Sequence, residues 1–256
     1  MQKNIIEENI LAFTDPNGRS SCGMISTEEG IVLVDATARP VDIQACLDMA
    51  RVEPNEVCQV LITHSHSDHT SGIPLFDCPV LAHKLTHQRI KGRGTERSKT
   101  QIPTDTFEGN KNLNIGKVKI EMIHLGGHTP GSSVVWIPQE RILFTGDLIF
   151  EGRYPFLATA NIPRLIDALD WLPSLGARII IPGHGEICGY AEVSNQLVYI
   201  IETWERTKEH LRQGHSLVET QSDTEYRRYS DRGYEKLHRW NIKVCYQQLK
   251  KANKSY

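Results

Sequence analysis

The 256-residue sequence lacks several features that mark specialised classes of protein, and each absence narrows the possibilities. Its six cysteines are scattered and include no Cys-x-x-Cys pair, so buried free thiols are expected rather than a disulfide framework. No apolar run approaches the roughly 20 residues that a membrane-spanning helix needs. We therefore expect no membrane partner.

Charge of one sign is also missing, because 29 Lys and Arg residues face 31 Asp and Glu residues. The formal net charge of −2 provides no broad polyanion-binding surface, so nucleic acid is not expected as a partner. Residues 1–9 show no apolar stretch after a basic start, which predicts no secretory signal and a cytoplasmic protein. A hydrophobic content of 39% is ordinary for a soluble globular chain.

The hydrophobic pattern predicts two strand-rich stretches, each followed by helix, and then a helical tail. Strands are expected at 24–27, 31–34, 57–63, 118–125, 133–137, 141–145 and 178–181, with a turn at 15–18. Helices are expected at 40–51, 162–172, 192–212 and 233–251. No Pro- or Ser-rich linker splits the chain. We therefore expect an α/β catalytic domain at residues 1–190 and a C-terminal helical extension at 191–256 packed on the same domain.

Four metal-ligand side chains fall within six residues, in the run Thr63-His64-Ser65-His66-Ser67-Asp68-His69-Thr70. Chance would place such a run in a chain of this length about once in a thousand sequences. A loop that leaves a strand can direct several side chains into one cleft. We therefore place the run on a strand-to-helix turn, with the helix beginning within residues 72–76. Imidazole nitrogens suit zinc and iron.

Three further ligand-type residues are predicted at strand exits, each next to glycine. His128 lies in Gly127-His128-Thr129-Pro130-Gly131, Asp147 follows Gly146, and His184 stands between Gly183 and Gly185. One histidine at a strand exit is usually structural. Four strand exits with such residues instead indicate one composite site.

With these motifs in this order, residues 20–190 resemble the metallo-β-lactamase fold superfamily. The resemblance implies a four-layer α/β/β/α sandwich with metals at one edge. It implies two divalent ions, most simply Zn²⁺, with Fe or Mn as alternatives. The first ion would be held by His64, His66 and His128, the second by Asp68, His69 and His184, and both would share Asp147. Asp35 matches a position that orients a ligand histidine, although a turn or cap carboxylate is an equal alternative.

The chemistry of such a site is that of a metal-dependent hydrolase. A hydroxide shared by two metals would attack an ester, lactone, thioester or related carbonyl of a small-molecule substrate. Asp68 would orient the hydroxide and shuttle its proton, which makes it the expected catalytic side chain. β-Lactam hydrolysis is an alternative, which Asp147 disfavours because dedicated β-lactamases of this superfamily usually carry Cys or Ser near that role. A mononuclear iron persulfide dioxygenase is an alternative of another class.

Some residues stay ambiguous at the level of sequence. Tyr154, close after Asp147, is either a pocket residue or a core residue. His83 and His87 have the spacing of one helix face, with surface or packing roles favoured. The C-terminal extension either covers the cleft or forms a homodimer contact. Aromatic residues that would roof a pocket or attach these helices are Phe156, Trp204, Tyr226, Tyr229, Tyr234 and Trp240.

Overall fold

A computed structural model describes residues 1–95, 100–229 and 235–252. Gly233 and Tyr234, at the start of the predicted last helix, lie outside the described residues. The strands are β1 (Gln2–Glu7), β2 (Ile10–Ser20), β3 (Cys22–Thr27), β4 (Gly30–Val34), β5 (Val57–Ile62), β6 (Val80–His83), β7 (Asp105–Phe107), β8 (Asn110–Ile115), β9 (Val118–His124), β10 (Ser133–Ile137), β11 (Ile142–Phe150) and β12 (Ile179–Gly185).

The helices of the described residues fall between and after these strands. They are α1 (Pro40–Ala50), α2 (Ser67–Thr70), α3 (Lys84–Lys91), α4 (Ile162–Trp171), α5 (Tyr190–Arg212), α6 (Leu217–Ser222) and α7 (Glu235–Ala252). Short 3₁₀ turns occupy Pro54–Glu56, Ile73–Leu75 and Leu172–Leu175. Each of these helices is too short or too polar to cross a bilayer.

The strands form two sheets joined through the long strand β2. Their order is β7-β6-β5-β4-β3-β2-β12-β11-β10-β9-β8, with β1 paired to the outer part of β2. The first half of β2 pairs with β3, while Asp15 and Ser20 in its second half pair with β12. Parallel pairing joins β4, β5, β6 and β7, and it also joins β11 to β12.

Three hydrophobic clusters define the layers. One lies between the two sheets and includes Ile10, Leu61 and Phe144. A second packs α1 onto the first sheet, and a third packs α4, α5 and α7 onto the second sheet. The order is therefore helix, sheet, sheet, helix, with each sheet apolar on both faces. The predicted four-layer α/β/β/α sandwich with C-terminal helices is confirmed.

The structure corrects several predicted boundaries. Residues 15–18 were expected as a turn but lie within β2, which bends there. The helix expected to begin within residues 72–76 is only a 3₁₀ turn, because Pro74 and Gly72 favour a tight turn. Helix α2 instead lies inside the histidine motif. Strand β11 runs on through Asp147 to Phe150, so Asp147 is within a strand rather than after it.

Candidate metal centre

The structure brings all seven predicted ligands to one edge of the two sheets. They form two groups that share Asp147, and within each group one ligand atom per residue lies within 4.8 Å of the others. The first group contains His64, His66, His128 and Asp147, and the second contains Asp68, His69, Asp147 and His184. These are the two sets into which the family resemblance divided the residues.

The histidine motif directs its side chains into one place because the chain changes conformation within it. Strand β5 ends at Ile62, and extended backbone continues to His66, which begins helix α2 with φ −68° and ψ 146°. His64 and His66 thus project from extended chain, while Asp68 and His69 project from one helical turn. The Ser20 hydroxyl and the Ala36 amide hold this turn through the Asp68 and His69 carbonyls.

The later ligands reach the same edge on neighbouring strands. Asp147 lies on β11 and His184 on β12, which run parallel, and the pairing of β11 with β12 shifts register between Gly146 and Phe150. A Cβ on Gly183 would lie 2.2 Å from Oδ1 of Asp147. Residue 183 must therefore be glycine for the Asp147 carboxylate to sit between the two groups.

Each oxygen of Asp147 faces a different group. Oδ2 lies 3.5 Å from Nε2 of His64 and 3.3 Å from Nε2 of His128. Oδ1 lies 3.0 Å from Nε2 of His69 and 3.2 Å from Nε2 of His184. The carboxylate therefore spans the gap between the groups.

Hydrogen-bond acceptors on the outer side of the rings set which nitrogen faces inward. Nδ1 of His69 donates to Asp35 Oδ2 at 2.8 Å, and Nδ1 of His184 donates to the Gly18 carbonyl at 3.0 Å. Nδ1 of His64 lies 3.1 Å from the Thr63 hydroxyl. These partners assign the proton to Nδ1 and leave Nε2 bare toward the cluster.

His66 faces the cluster with its other nitrogen. Its Nε2 lies 3.1 Å from the Thr159 hydroxyl, which donates to the His128 carbonyl at 3.0 Å. Its Nδ1 therefore faces inward and lies 3.0 Å from Nε2 of His128. Thr159 has no motif around it in the sequence, and only the structure reveals this contact.

Asp35 orients the motif and does not compete for its ligand positions. Its Oδ1 accepts the Thr63 amide at 2.8 Å, and its Oδ2 accepts both the Thr63 hydroxyl and the His69 ring. Its backbone has φ 59°, a left-handed value that is unusual outside glycine. Such strain persists only where surrounding contacts maintain it. The contacts match the predicted orienting role and not a turn or cap.

Several buried atoms of the cluster have no hydrogen-bond partner. They include Nε2 of His64, Nε2 of His69 and Oδ1 of Asp147. Buried polar atoms without partners are rare, and here they converge from separate elements. Nitrogen and carboxylate oxygen donors at these positions fit divalent transition metals such as zinc. The residues present therefore suit the metal centre that the fold implies.

The two groups differ in the charge that their imidazoles carry. Burial lowers the pKa of His64 and of His128, and Asp147 does not compensate. Burial acts the same way on His69, but Asp147, Asp35 and Asp68 together raise its pKa well above the usual range. Carboxylates likewise outweigh burial at His184 and raise its pKa to about 9.

The carboxylates of the cluster are ionised. Burial favours the protonated form of Asp147, but the facing histidines, His184 and His69 first, hold its pKa well below its usual range. Burial opposes ionisation of Asp68 too, and again His69 and His184 keep its pKa low. Asp68 can therefore accept a proton at neutral pH.

A cavity of 690 Å³ opens onto the cluster. Its lining residues are Asn17, Gly18, His66, Ser67, Asp68, Arg93, Asp147, Phe150, Arg153, Tyr154, Phe156, His184 and Leu237. Leu237 belongs to α7, so the C-terminal extension forms part of the wall. Tyr154 also lines the cavity, but it is buried and its hydroxyl accepts the Tyr229 amide. Sequence reasoning missed the two arginines, since isolated arginines carry no motif.

Residues 15–184 match the Metallo-beta-lactamase superfamily, which is more than half of the chain. The chain belongs to this superfamily. A type 2 metallo-β-lactamase of Bacillus sp. (strain 170) is 29% identical over 203 residues, which cover 73% of this chain and 75% of that protein. The type 2 enzyme of Bacillus cereus is 28% identical with the same coverage. The metallo-β-lactamase homologues are metal-dependent hydrolases, which makes metal-dependent hydrolysis a plausible activity of this superfamily member.

Solved structures show the same fold. A metallo-β-lactamase from Pontibacter korlensis superposes with a TM-score of 0.68 at 24% identity, covering 78% of this chain and 98% of that one. A double mutant of the sec-alkyl sulfatase PisA1 superposes with a TM-score of 0.74 at 17% identity. It covers 94% of this superfamily member, and therefore part of the C-terminal extension, but 49% of the sulfatase. At these identities the likeness concerns the fold alone.

Proposed function

We propose that this protein is a hydrolase that binds two divalent metal ions, most simply Zn²⁺, and cleaves an ester, lactone or thioester of a small molecule. The observation that carries the proposal is the position of Asp147, whose two oxygens face two separate groups of bare histidine nitrogens. His64, His66 and His128 would hold one ion. Asp68, His69 and His184 would hold the other, and Asp147 would bridge them.

Two ions in such a site supply a hydroxide near neutral pH and polarise the bond under attack. The chain's own contribution starts with Asp68, which is half-exposed and lines the cavity. Its Oδ2 lies 3.3 Å from Nε2 of His184, so it is held at the cluster rather than in solvent. The ionised carboxylate would take the proton of the attacking water and return it to the leaving oxygen or sulfur. Water and the acyl compound then yield an acid and an alcohol or thiol.

The buried walls keep this proton transfer away from bulk water. Phe150 stacks on the His184 ring at 5.1 Å between centroids, and Phe156 approaches His66 at 6.0 Å. A cavity of 690 Å³ has the size of a small-molecule site rather than a polymer groove. These features support an acyl substrate of modest size.

β-Lactam hydrolysis is the second candidate function, since the relatives at 26–29% identity include enzymes named metallo-β-lactamases. The same cluster would serve that reaction, because a β-lactam also presents a carbonyl to be attacked. A persulfide dioxygenase reaction is a third candidate. It needs one iron per chain and consumes oxygen, whereas hydrolysis does not.

The test is a panel of lactones, thioesters, esters and β-lactams, assayed with the zinc, manganese and iron forms of the protein. Metal content is measured on the same samples. We expect about two ions per chain and turnover of one acyl class without oxygen uptake. Preference for β-lactams would select the second candidate. Fewer than one bound transition metal in an active sample would contradict the two-metal proposal.

A matched variant controls for nonspecific loss. His124→Gln removes a histidine whose ring stacks on His83 and donates to the Pro130 carbonyl outside the cluster. It should keep metal content and turnover, whereas Asp68→Asn should lose turnover. Equal losses in both variants would indicate damage to the fold rather than to the site.

A further inference from the structure

The cavity beside the metal centre contains a cationic group for which the proposed hydrolysis has no use. Besides Arg93, the guanidinium of Arg153 lines the cavity, six residues after Asp147 in sequence. We propose that Arg153 binds an anionic group of the substrate, such as a carboxylate, and so selects acidic acyl compounds. This inference rests on the proposed hydrolase function and narrows its substrate class.

Gly18 places Arg153 next to the metal centre. The Gly18 carbonyl accepts Nδ1 of His184 at 3.0 Å, while a Cβ on Gly18 would lie only 1.6 Å from Nη1 of Arg153. The backbone there has φ +98°, which glycine adopts without strain. One glycine thus contacts both the imidazole of a proposed ligand and the guanidinium. An anion on Arg153 would therefore lie beside the reacting bond and not in a remote pocket.

The bonds of Arg153 leave much of its capacity unused. Nη2 donates to the Pro16 carbonyl at 3.0 Å, which fixes the side chain against strand β2. Nε is buried and has no hydrogen-bond partner. Within residues 1–95, 100–229 and 235–252, no carboxylate lies close enough to form an ion pair with Arg153. A guanidinium offers five donors in a planar fork that matches a carboxylate.

Other arginines of the chain behave differently. Arg19 pairs with Asp15 and Asp42, and Arg206 pairs with Asp223 and Glu225. Arg93 also lines the cavity, but its guanidinium donates to the Ser65 carbonyl, between two proposed ligands. We therefore assign Arg93 to positioning the histidine motif. Arg153 is the arginine whose unneutralised charge faces the cavity, and an anionic ligand would supply the missing partner.

The rest of the cavity defines the other end of the substrate. Phe156 is 38% exposed and lines the wall together with Leu237 of α7. Apolar side chains at this position suit an alkyl or aryl portion. The expected substrate therefore combines an anionic group, a scissile acyl bond and an apolar part.

The experiment compares two esters that differ in one charge. 4-Nitrophenyl hemisuccinate and 4-nitrophenyl butanoate share a leaving group and chain length, but only the first has a terminal carboxylate. With the zinc-loaded protein, we expect kcat/KM to favour the hemisuccinate by about 10- to 100-fold. Arg153→Gln keeps a donor for Pro16 but removes the charge, so it should abolish the preference mainly through KM. Arg153→Lys should retain part of it.

A binding measurement separates this inference from the proposed hydrolysis. N-phenylsuccinamic acid and butyranilide are amide analogues of the two esters, and calorimetry reports their binding without turnover. Wild type should bind the acid at least about 10-fold more tightly, and Arg153→Gln should not. If neither ester is cleaved but this difference persists, the hydrolase proposal fails and the anion site stands.

Arg141→Gln is the matched control, because exposed Arg141 also donates its Nε to a backbone carbonyl, that of Gly176, outside the cavity lining. It should leave both preferences unchanged. Thermal unfolding of every variant identifies any that fail to fold, and Arg153→Lys then carries the comparison. Equal losses for charged and neutral ligands in Arg153→Gln, or no preference in wild type, would overturn the proposal.

Discussion

The two ligand groups use the same kinds of side chain but give their histidines opposite charge states. In the group of His64, His66 and His128, the carboxylate of Asp147 stands alone against burial, and the pKa of both His64 and His128 falls. In the group of His69 and His184, three carboxylates face the rings and the pKa of each rises. Burial acts in one direction throughout, so the number of nearby carboxylates decides the sign.

This difference has a consequence for metal binding. Zn²⁺ coordinates neutral imidazole, so a histidine that is already neutral loses no proton when the ion enters. The His69 and His184 side chains carry protons at neutral pH in the metal-free protein, and those protons must leave. The two groups should therefore differ in how their affinities respond to change. The predictions below test that difference, from the largest expected effect to the smallest.

Removing the shared carboxylate should abolish the distinction between the groups. Asp147→Ala deletes the oxygens that face both sets of nitrogens, so we expect loss of both ions and activity below about one hundredth of wild type. Metal analysis and turnover of the best panel substrate are the measurements. The fold should survive, because the neighbouring strand residues stay packed. Retention of two ions per chain would refute the bridging role.

Removing one histidine from each group should separate the groups. His66→Ala should empty only the first group and His184→Ala only the second, leaving about one ion per chain in each variant. Metal titration followed by calorimetry measures both stoichiometry and proton release. The ion that remains in His66→Ala should release more protons on binding than the ion that remains in His184→Ala. Identical proton release in the two variants would contradict the comparison.

Asp35 offers a gentler change that acts on one group directly. Asp35→Asn keeps the shape but weakens the acceptor of the His69 ring, so metal affinity at the second group should fall by about 10- to 100-fold. The first group should change less, since Asp35 reaches His64 only through Thr63. Asp42→Asn, which removes a carboxylate bonded to Arg39, is the control. Equal weakening of both groups would show that Asp35 supports the whole motif.

A histidine outside the cluster tests whether burial without carboxylates lowers the pKa. His83 stacks on His124 at 3.6 Å, and burial followed by the charge of His124 lowers its pKa to about 4. An unfolded histidine titrates near about 6.5, so the unfolded chain binds more protons between these values. The contribution of His83 to stability is therefore complete above about pH 6.5 and is lost as the pH falls toward about 4.

The variant His83→Gln should remove this dependence. Between about pH 6.5 and 4, the metal-free variant should lose about 1 to 3 kcal/mol less unfolding free energy than wild type. Urea denaturation at both pH values measures it, and NMR titration of the ring gives the pKa directly. A ring that titrates at its ordinary value would remove burial as the explanation for His64 and His128 as well.

How far sequence reasoning reached depended on the range of the interactions involved. The His64–His69 run was recognisable because four ligands are adjacent in sequence, and glycine neighbours marked His128, Asp147 and His184. The prediction that His83 and His87 share a helix face was wrong. His83 ends β6, and its ring caps α3 by accepting the Leu85 amide. Local spacing could not reveal this, because the strand continues to the residue before the helix.

The sequence by itself determined the ligand types, their order and the alternation of strands and helices, because these depend on neighbouring residues and on hydrophobic period. Only the tertiary structure decided which nitrogen of each ring faces inward, since the partners Asp35, Thr159 and Gly18 come from distant segments. It likewise decided the charge states of the two groups. It also placed Arg153 against Gly18 and Leu237 in the cavity wall. These properties arise from contacts between segments far apart in the chain, and no local pattern encodes them.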